Sequence, residues 1–207
     1  MGSILEALSP EQQIACSTQN NILLTACPGS GKTRTLTHRL AYQVLRDPAS
    51  KKIKIAITYT NRAAEEITNR LEGMNIDQSS IWAGTIHQFC MHFIIRPYAM
   101  YSKRLCKGYR IIDDYSKKAY GREIAERLGM HLNYYDDPFQ YENVRTEYKR
   151  VLKEKKEIDF DAILLISEEL LASCAFIGSN IASVISSILV DEFQDTNELQ
   201  YSILSTI

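Results

Sequence analysis

The stretch "NILLTACPGSGKT", residues 21–33, decides how this chain is read. An apolar run, a turn with two glycines and a Lys-Thr pair follow one another without a gap. The amphipathic stretch "KTRTLTHRLAYQVLR" (32–46) then begins on the lysine. Strand, loop and helix in that order form the context that a phosphate-binding loop requires. Gly29 and Gly31 let the backbone curl so that successive N–H groups face phosphate oxygens, and the following helix adds the positive end of its dipole. Ala26, Cys27, Pro28, Gly29, Ser30, Gly31, Lys32 and Thr33 are therefore the candidate nucleotide-binding residues. Lys32 stands where it would pair with the β- and γ-phosphates, and Thr33 where its hydroxyl would hold Mg2+. The stretch departs from the strict G-x-x-x-x-G-K-[ST] pattern because Ala26 replaces the first glycine. An ordinary glycine-rich turn is the alternative reading.

Outward from this loop the same grammar repeats. "NILLTA" (21–26), "IKIAITY" (53–59), "SIWAGT" (80–85) and "ILV" (188–190) read as four strands of one parallel sheet, with helices between them. The helix through "NRAAEEITNRLEGM" is expected to stop at Gly73, and "HQFCMHFII" (87–95) to end before Pro97. Ser9 followed by Pro10 marks the start of an earlier helix. The fold class expected is thus α/β, a P-loop NTPase with a parallel sheet flanked by helices.

Residues 97–158 differ in texture, and nine of the twelve tyrosines lie between Tyr98 and Tyr148. They read as an inserted, mostly helical subdomain, with residues 1–96 and 159–207 forming the nucleotide-binding core. Helices are expected through "SKKAYGREIAERLG" and "ENVRTEYKRVLKEKKE", and "FDAILLISEELLA" (160–172) is expected to lead back to the core. Residues 96–118 hold seven basic side chains against two acidic ones, interleaved with Tyr98, Tyr101, Tyr109 and Tyr115. That mixture suits either a nucleic-acid strand, by phosphate pairing and base stacking, or a solvated face.

Composition leaves these readings open. The chain has 207 residues and a net charge of −1, so any surface for a polyanion must be local. Five scattered cysteines without a C-x-x-C pair read as reduced thiols in a cytoplasmic protein. No signal peptide and no run of 18 apolar residues is seen, which argues against membrane insertion.

The second chemical signal is "ILVDEFQDTNELQY" (188–201), where an apolar run delivers Asp191 and Glu192 side by side. In phosphate-loop enzymes a carboxylate at a neighbouring strand end holds Mg2+, and a base must position and deprotonate the attacking water. Asp191 fits the first role and Glu192 the second, so Lys32, Thr33, Asp191 and Glu192 are the candidate catalytic residues. Two acids complementing a helix dipole are the alternative. His87 with Cys90 and His92 has metal-ligand residue types, but lacks a matching second half.

Five blocks, "LSPEQQ" (8–13), "ACPGSGKTR" (26–34), "ITYTNRAAEEITNRL" (57–71), "GTIHQFC" (84–90) and "VDEFQDTNELQY" (190–201), occur in the order seen in the UvrD/Rep/PcrA-like DNA helicases. The chain resembles the N-terminal portion of that family, a RecA-like ATPase domain with an inserted helical subdomain. The resemblance implies that Gln12 reads the adenine edge and that Arg34 packs on the adenine face. It implies that Tyr59, Thr60 and Asn61 contact single-stranded DNA, with Tyr59 suited to stacking, and that Thr85 and His87 donate to its phosphates. Cys27 stands where many relatives have glycine, so thiol reagents are expected to interfere with nucleotide binding.

The resemblance further implies ATP and Mg2+ as cofactors, single-stranded DNA as a partner and 3′-5′ movement driven by hydrolysis. Missing C-terminal helicase domains of the same polypeptide, which carry further arginines for the γ-phosphate, are the other expected partner. By this reading the 207-residue chain alone does not unwind DNA. Two alternatives stand beside it: a nucleotide-gated binding module without productive hydrolysis, and the motor of a helicase-nuclease.

Overall fold

A central strand paired on both edges organises the computed structural model, which describes residues 2–27 and 29–207. The helices are α1 Gly2–Leu5, α2 Pro10–Ser17, α3 Lys32–Arg46, α4 Asn61–Gly73, α5 Ile86–Phe89, α6 Arg96–Tyr98, α7 Asp114–Arg127, α8 Glu142–Lys155, α9 Phe160–Ser173, α10 Ala175–Val184 and α11 Glu198–Ser205. The strands are β1 Ile53–Thr58, β2 Ile81–Thr85, β3 Arg110–Ile111, β4 Glu157–Ile158 and β5 Ile185–Val190. The chain divides into two units. One comprises residues up to 89 with 178–205 and 207, and the other residues 90–177 with Thr206.

In the first unit β1 runs parallel to both neighbours, in the order β2-β1-β5. Ile55 sits opposite Trp82 on one side and Ile188 on the other. Five of the six β1 residues are buried, as a strand enclosed on both edges and both faces demands. Ala56 packs with Leu40, Ala41 and Val44 of α3 and Ile67 and Leu71 of α4. These apolar positions recur at helical spacing, so each helix presents one stripe to the sheet. The α4 boundaries follow from chemistry, since the Thr60 hydroxyl accepts from the Ala63 amide at the start.

The sheet has three strands among the described residues, and this corrects the four expected. Residues 21–27 join no ladder, and Ile22, Leu23 and Leu24 are exposed, Leu23 at 72%. β1 already has a neighbour on each edge, and residues 21–26 pair with neither remaining edge. An apolar run acquires strand geometry from the hydrogen bonds and packing of a neighbour, so without one it stays irregular. The helix expected over 87–95 is also altered, because α5 gives way to a π-helical turn at Cys90–Ile95.

The second unit has its own core of Ile112, Ile124, Ala125, Val144, Tyr148, Val151 and Leu152, built where α7 packs on α8. It contains a two-stranded parallel ladder, β3 with β4, that has no counterpart in the sequence reading. Its limits differ from the 97–158 insert read from sequence, because α9 packs on the Cys90–Ile95 turn and so belongs here. Asp159 caps α9 by accepting from the Ala162 amide at 2.9 Å. The same carboxylate accepts from the Tyr148 hydroxyl at 3.0 Å and pairs with Lys117. Burial and this carboxylate push the Tyr148 hydroxyl above the ordinary tyrosine range.

Candidate nucleotide site and strand-end cleft

Gly29 and Gly31 both adopt left-handed backbone, at φ of 79° and 89°, which L side chains rarely tolerate. Gly31 is the residue from which α3 departs, so the loop delivers its N–H groups to a helix start. Pro28, named among the nucleotide-binding candidates, lies outside the described residues. Ala26 and Cys27 precede it, and the Cys27 thiol is exposed. The Lys32 ammonium donates to the Ala26 carbonyl at 3.3 Å, and the Ser30 amide to the Cys27 carbonyl at 3.2 Å. The loop thus closes on itself through its own lysine.

Asp191 follows β5 directly, and its amide donates to the Ile57 carbonyl at 2.8 Å, which extends the β1 pairing past the strand end. Its carboxylate accepts from the Thr33 hydroxyl at 2.9 Å across 158 residues of sequence. The loop and the acidic turn therefore meet in one place. A hydroxyl and a carboxylate are hard oxygen donors of the kind Mg2+ takes, and two protein ligands leave room for waters and phosphate oxygens around it. Residues and ion fit.

Glu192 adopts left-handed backbone at φ of 51°, an uncommon conformation for a non-glycine residue, and is exposed. Its carboxylate accepts from the Gln194 amide nitrogen at 2.6 Å. Gln194 was not among the candidate site residues, although it lies inside the quoted block "VDEFQDTNELQY", two residues beyond Glu192.

Gln12 has both ends of its side chain engaged. Its carbonyl oxygen accepts from the Ser9 amide at 3.0 Å, completing a capping box with the Ser9 hydroxyl, and its nitrogen donates to the Ser30 carbonyl at 3.1 Å. The Arg34 guanidinium donates to the Ala7 carbonyl at 3.0 Å. Both residues are thus tied to the neighbourhood of the loop by backbone carbonyls.

At the carboxyl ends of the three strands lies a cleft of about 220 Å³. It brings Tyr59, Thr85 and His87 together with Asp191 and Glu192, and Thr196, Gln200 and Leu204 close its remaining side. Thr60 and Asn61 do not line it. Tyr59 is 69% exposed. The Thr85 oxygen accepts from the Gln88 amide at 3.3 Å, which leaves the hydroxyl proton able to donate elsewhere. The Gln200 side-chain oxygen Oε1 accepts from the Asn197 backbone amide and the Asn197 side-chain oxygen Oδ1 from the Gln200 backbone amide, a reciprocal cap that starts α11 and holds Gln200 at the cleft.

Among the described residues no group of three or more His, Cys, Asp or Glu side chains is placed to hold a metal ion. Cys90 is fully buried, and burial pushes its thiol up to about 12. Among the described residues no helix is long and apolar enough to cross a membrane.

Comparison with known proteins matches residues 8–140 and 133–207 to the family model described as the UvrD/REP helicase N-terminal domain. DNA helicase II of Escherichia coli (strain K12) is 27% identical over 228 aligned positions, covering 96% of this chain and 31% of that protein. The ATP-dependent DNA helicase PcrA of Leuconostoc citreum is 27% identical, covering 92% and 29%. PcrA of Staphylococcus aureus (strain Mu50 / ATCC 700699) is 26% identical, covering 100% and 32%. The chain spans about a third of the length of these relatives.

Proposed function

Because the chain belongs to the family of UvrD/REP helicase N-terminal domains, we propose that it is the nucleotide-binding part of an ATP-driven DNA helicase or translocase. The observation that carries this reading is the 2.9 Å hydrogen bond from the Thr33 hydroxyl to the Asp191 carboxylate. It joins the phosphate loop to the acidic strand end at one point.

In this proposal Gly29, Ser30, Gly31 and Lys32 bind the phosphates, and Thr33 and Asp191 hold Mg2+. The ion would offset phosphate charge and orient the β- and γ-oxygens. Lys32 must exchange the Ala26 carbonyl for phosphate oxygen, and Glu192 takes the proton of the attacking water. Gln12 and Arg34 serve the adenine once released from their carbonyl partners. Tyr59, Thr60, Asn61, Thr85 and His87 contact single-stranded DNA. Tyr59, Thr85 and His87 share the cleft with Asp191 and Glu192, and a change around the γ-phosphate can be felt there by a bound strand. Movement in the 3′-5′ direction and a cytoplasmic location are part of the same proposal. Further domains would supply the arginines that contribute on the order of 10³–10⁵ in rate.

Mg-nucleotide binding by the 207-residue chain, read with a fluorescent nucleotide, tests the assignment. Lys32→Ala is expected to weaken binding on the order of 10- to 100-fold, the loss of a charge-assisted contact. Asp191→Asn is expected to remove the Mg2+ dependence while the fold persists. Unchanged affinity in Lys32→Ala, or unchanged Mg2+ dependence in Asp191→Asn, would sink it.

A further inference from the structure

The second unit carries an aromatic cluster that no part of the nucleotide site uses. Tyr98, Tyr101 and Phe176 meet in pairs, with ring centroids 6.3 Å apart for Tyr98 and Tyr101, 6.1 Å for Tyr98 and Phe176, and 5.1 Å for Tyr101 and Phe176. The interplanar angles of the two Phe176 pairs, 72° and 68°, are the edge-to-face geometry that aromatic quadrupoles favour. Such mutual packing holds each ring in place, yet Tyr101 stays 51% and Phe176 43% exposed. Rings held rigid but left half open suit a flat partner that arrives from outside.

The charge of the chain segments that carry the cluster points to that partner. Between Cys90 and Ile112 the chain has no acidic side chain, and none occurs between Leu170 and Val190. Lys103 and Arg104 follow Tyr101 on a turn in which the Leu105 and Cys106 amides donate to the Ser102 carbonyl, and Lys107 comes just after. All three cations are exposed and none joins an ion pair with a described residue. At no more than about 3.6 Å per residue, Lys103, Arg104 and Lys107 stay within the reach of a few nucleotides from the Tyr101 ring. Unpaired cations beside open aromatic faces are what a nucleic-acid strand requires, with phosphates for the first and bases for the second. An acidic peptide would satisfy the cations and leave the ring faces without a flat partner.

We propose that Tyr98, Tyr101 and Phe176, with Lys103, Arg104 and Lys107, form a stacking station for single-stranded nucleic acid on the second unit. It is additional to the strand-end cleft of the first unit and rests on the reading that the protein acts on DNA. Bases stack on Tyr101 and Phe176, Tyr98 positions both rings, and the three cations pair with the flanking phosphates. Base stacking is tolerant of sequence, so the station gives no base preference.

The test is fluorescence anisotropy of the 207-residue chain with an oligo-thymidine strand and with an abasic strand of equal length. Tyr101→Leu and Phe176→Leu are expected to weaken oligo-thymidine binding about tenfold each and to leave the abasic strand unaffected. The double variant Lys103→Gln with Lys107→Gln should reduce the slope of log K against log salt by about 1.4, at about 0.7 per lost phosphate contact. Ring variants that bind oligo-thymidine like the wild type, while Tyr59→Ala weakens it, overturn the station and leave the DNA reading of the cleft intact. Ring variants that weaken binding while Tyr59→Ala does not would uphold the station and remove the cleft assignment. Absence of any binding by the wild type overturns both. Displacement by poly-glutamate that itself depends on the two rings would make the patch a protein-docking surface and overturn the proposal.

Discussion

Two short apolar runs lead into the candidate nucleotide site, and they differ in state. Ile185–Val190 is a sheet strand hydrogen-bonded to β1, whereas residues 21–26 lie outside any ladder with their aliphatic side chains in water. Their compositions would not separate them, since each holds three consecutive aliphatic residues, Ile188 to Val190 in the first and Ile22 to Leu24 in the second. What separates them is a neighbour. β5 finds the open edge of β1, and the pairing continues past the strand end through the Asp191 amide to the Ile57 carbonyl. The carboxylate arm is thus positioned by backbone pairing. The phosphate-loop arm is positioned by polar ties, from Thr33 to Asp191, from Gln12 to Ser30 and from Lys32 to Ala26.

The sharpest way to break this contrast is amide hydrogen exchange. β1 amides lie within a buried ladder and open only in large unfolding events, whereas residues 21–26 have no ladder to open. The amides of Ile55–Thr58 are expected to exchange about 10³-fold or more slowly than those of Leu23–Ala26. Comparable rates would mean that 21–26 is paired in solution and that the contrast is void.

A substitution pair measures the same contrast as stability. Ile55 is fully buried, so Ile55→Ala is expected to cost about 2–5 kcal/mol through lost burial and the cavity it leaves. Leu23 is 72% exposed, and Leu23→Ala is expected to change stability by no more than about 0.5 kcal/mol. Urea unfolding of both variants checks this. A cost for Leu23→Ala approaching that of Ile55→Ala would show that the exposed run is packed after all.

These contrasts also explain what could be read from the sequence and what could not. Elements whose limits are written in local chemistry came through with their boundaries: α2 behind Ser9 and Pro10, α4 starting after Thr60, and α3 starting at Lys32 behind Gly31. The pairing of Thr33 with Asp191 was legible because each half has its own pattern, a loop before a helix and acids after an apolar run. Elements that depend on a partner far along the chain were not legible. The 21–26 run reads as a strand because periodicity reports burial potential and says nothing about whether an edge is free. The β3-β4 ladder joins two-residue segments 47 positions apart, too short to leave a pattern. The π-helical turn at Cys90–Ile95 has the same apolar spacing as the α-helix expected there. Gln12 was assigned to adenine by resemblance, and the structure adds that both ends of its side chain are held by the protein.

That last residue permits the finest test of the contrast, because Gln12 belongs at once to a helix cap and to the loop. Ser9→Ala removes only the cap and is expected to cost about 1 kcal/mol of stability. Gln12→Ala removes its half of the capping box and also the tie to the Ser30 carbonyl, 3.1 Å away. If the loop is held by polar ties, the two variants should unfold at similar urea concentrations and yet differ in nucleotide affinity, with Ser9→Ala close to the wild type and Gln12→Ala displaced from it. The sign of the displacement is informative. A weaker affinity means that the carboxamide serves the nucleotide after leaving Ser30, whereas a tighter one means that the tie holds the loop back and that breaking it precedes binding. Equal affinities in both variants would remove Gln12 from the loop's supports. The phosphate-loop arm would then rest on Thr33 and Lys32 alone, and its contrast with the ladder-held carboxylate arm would be sharper still.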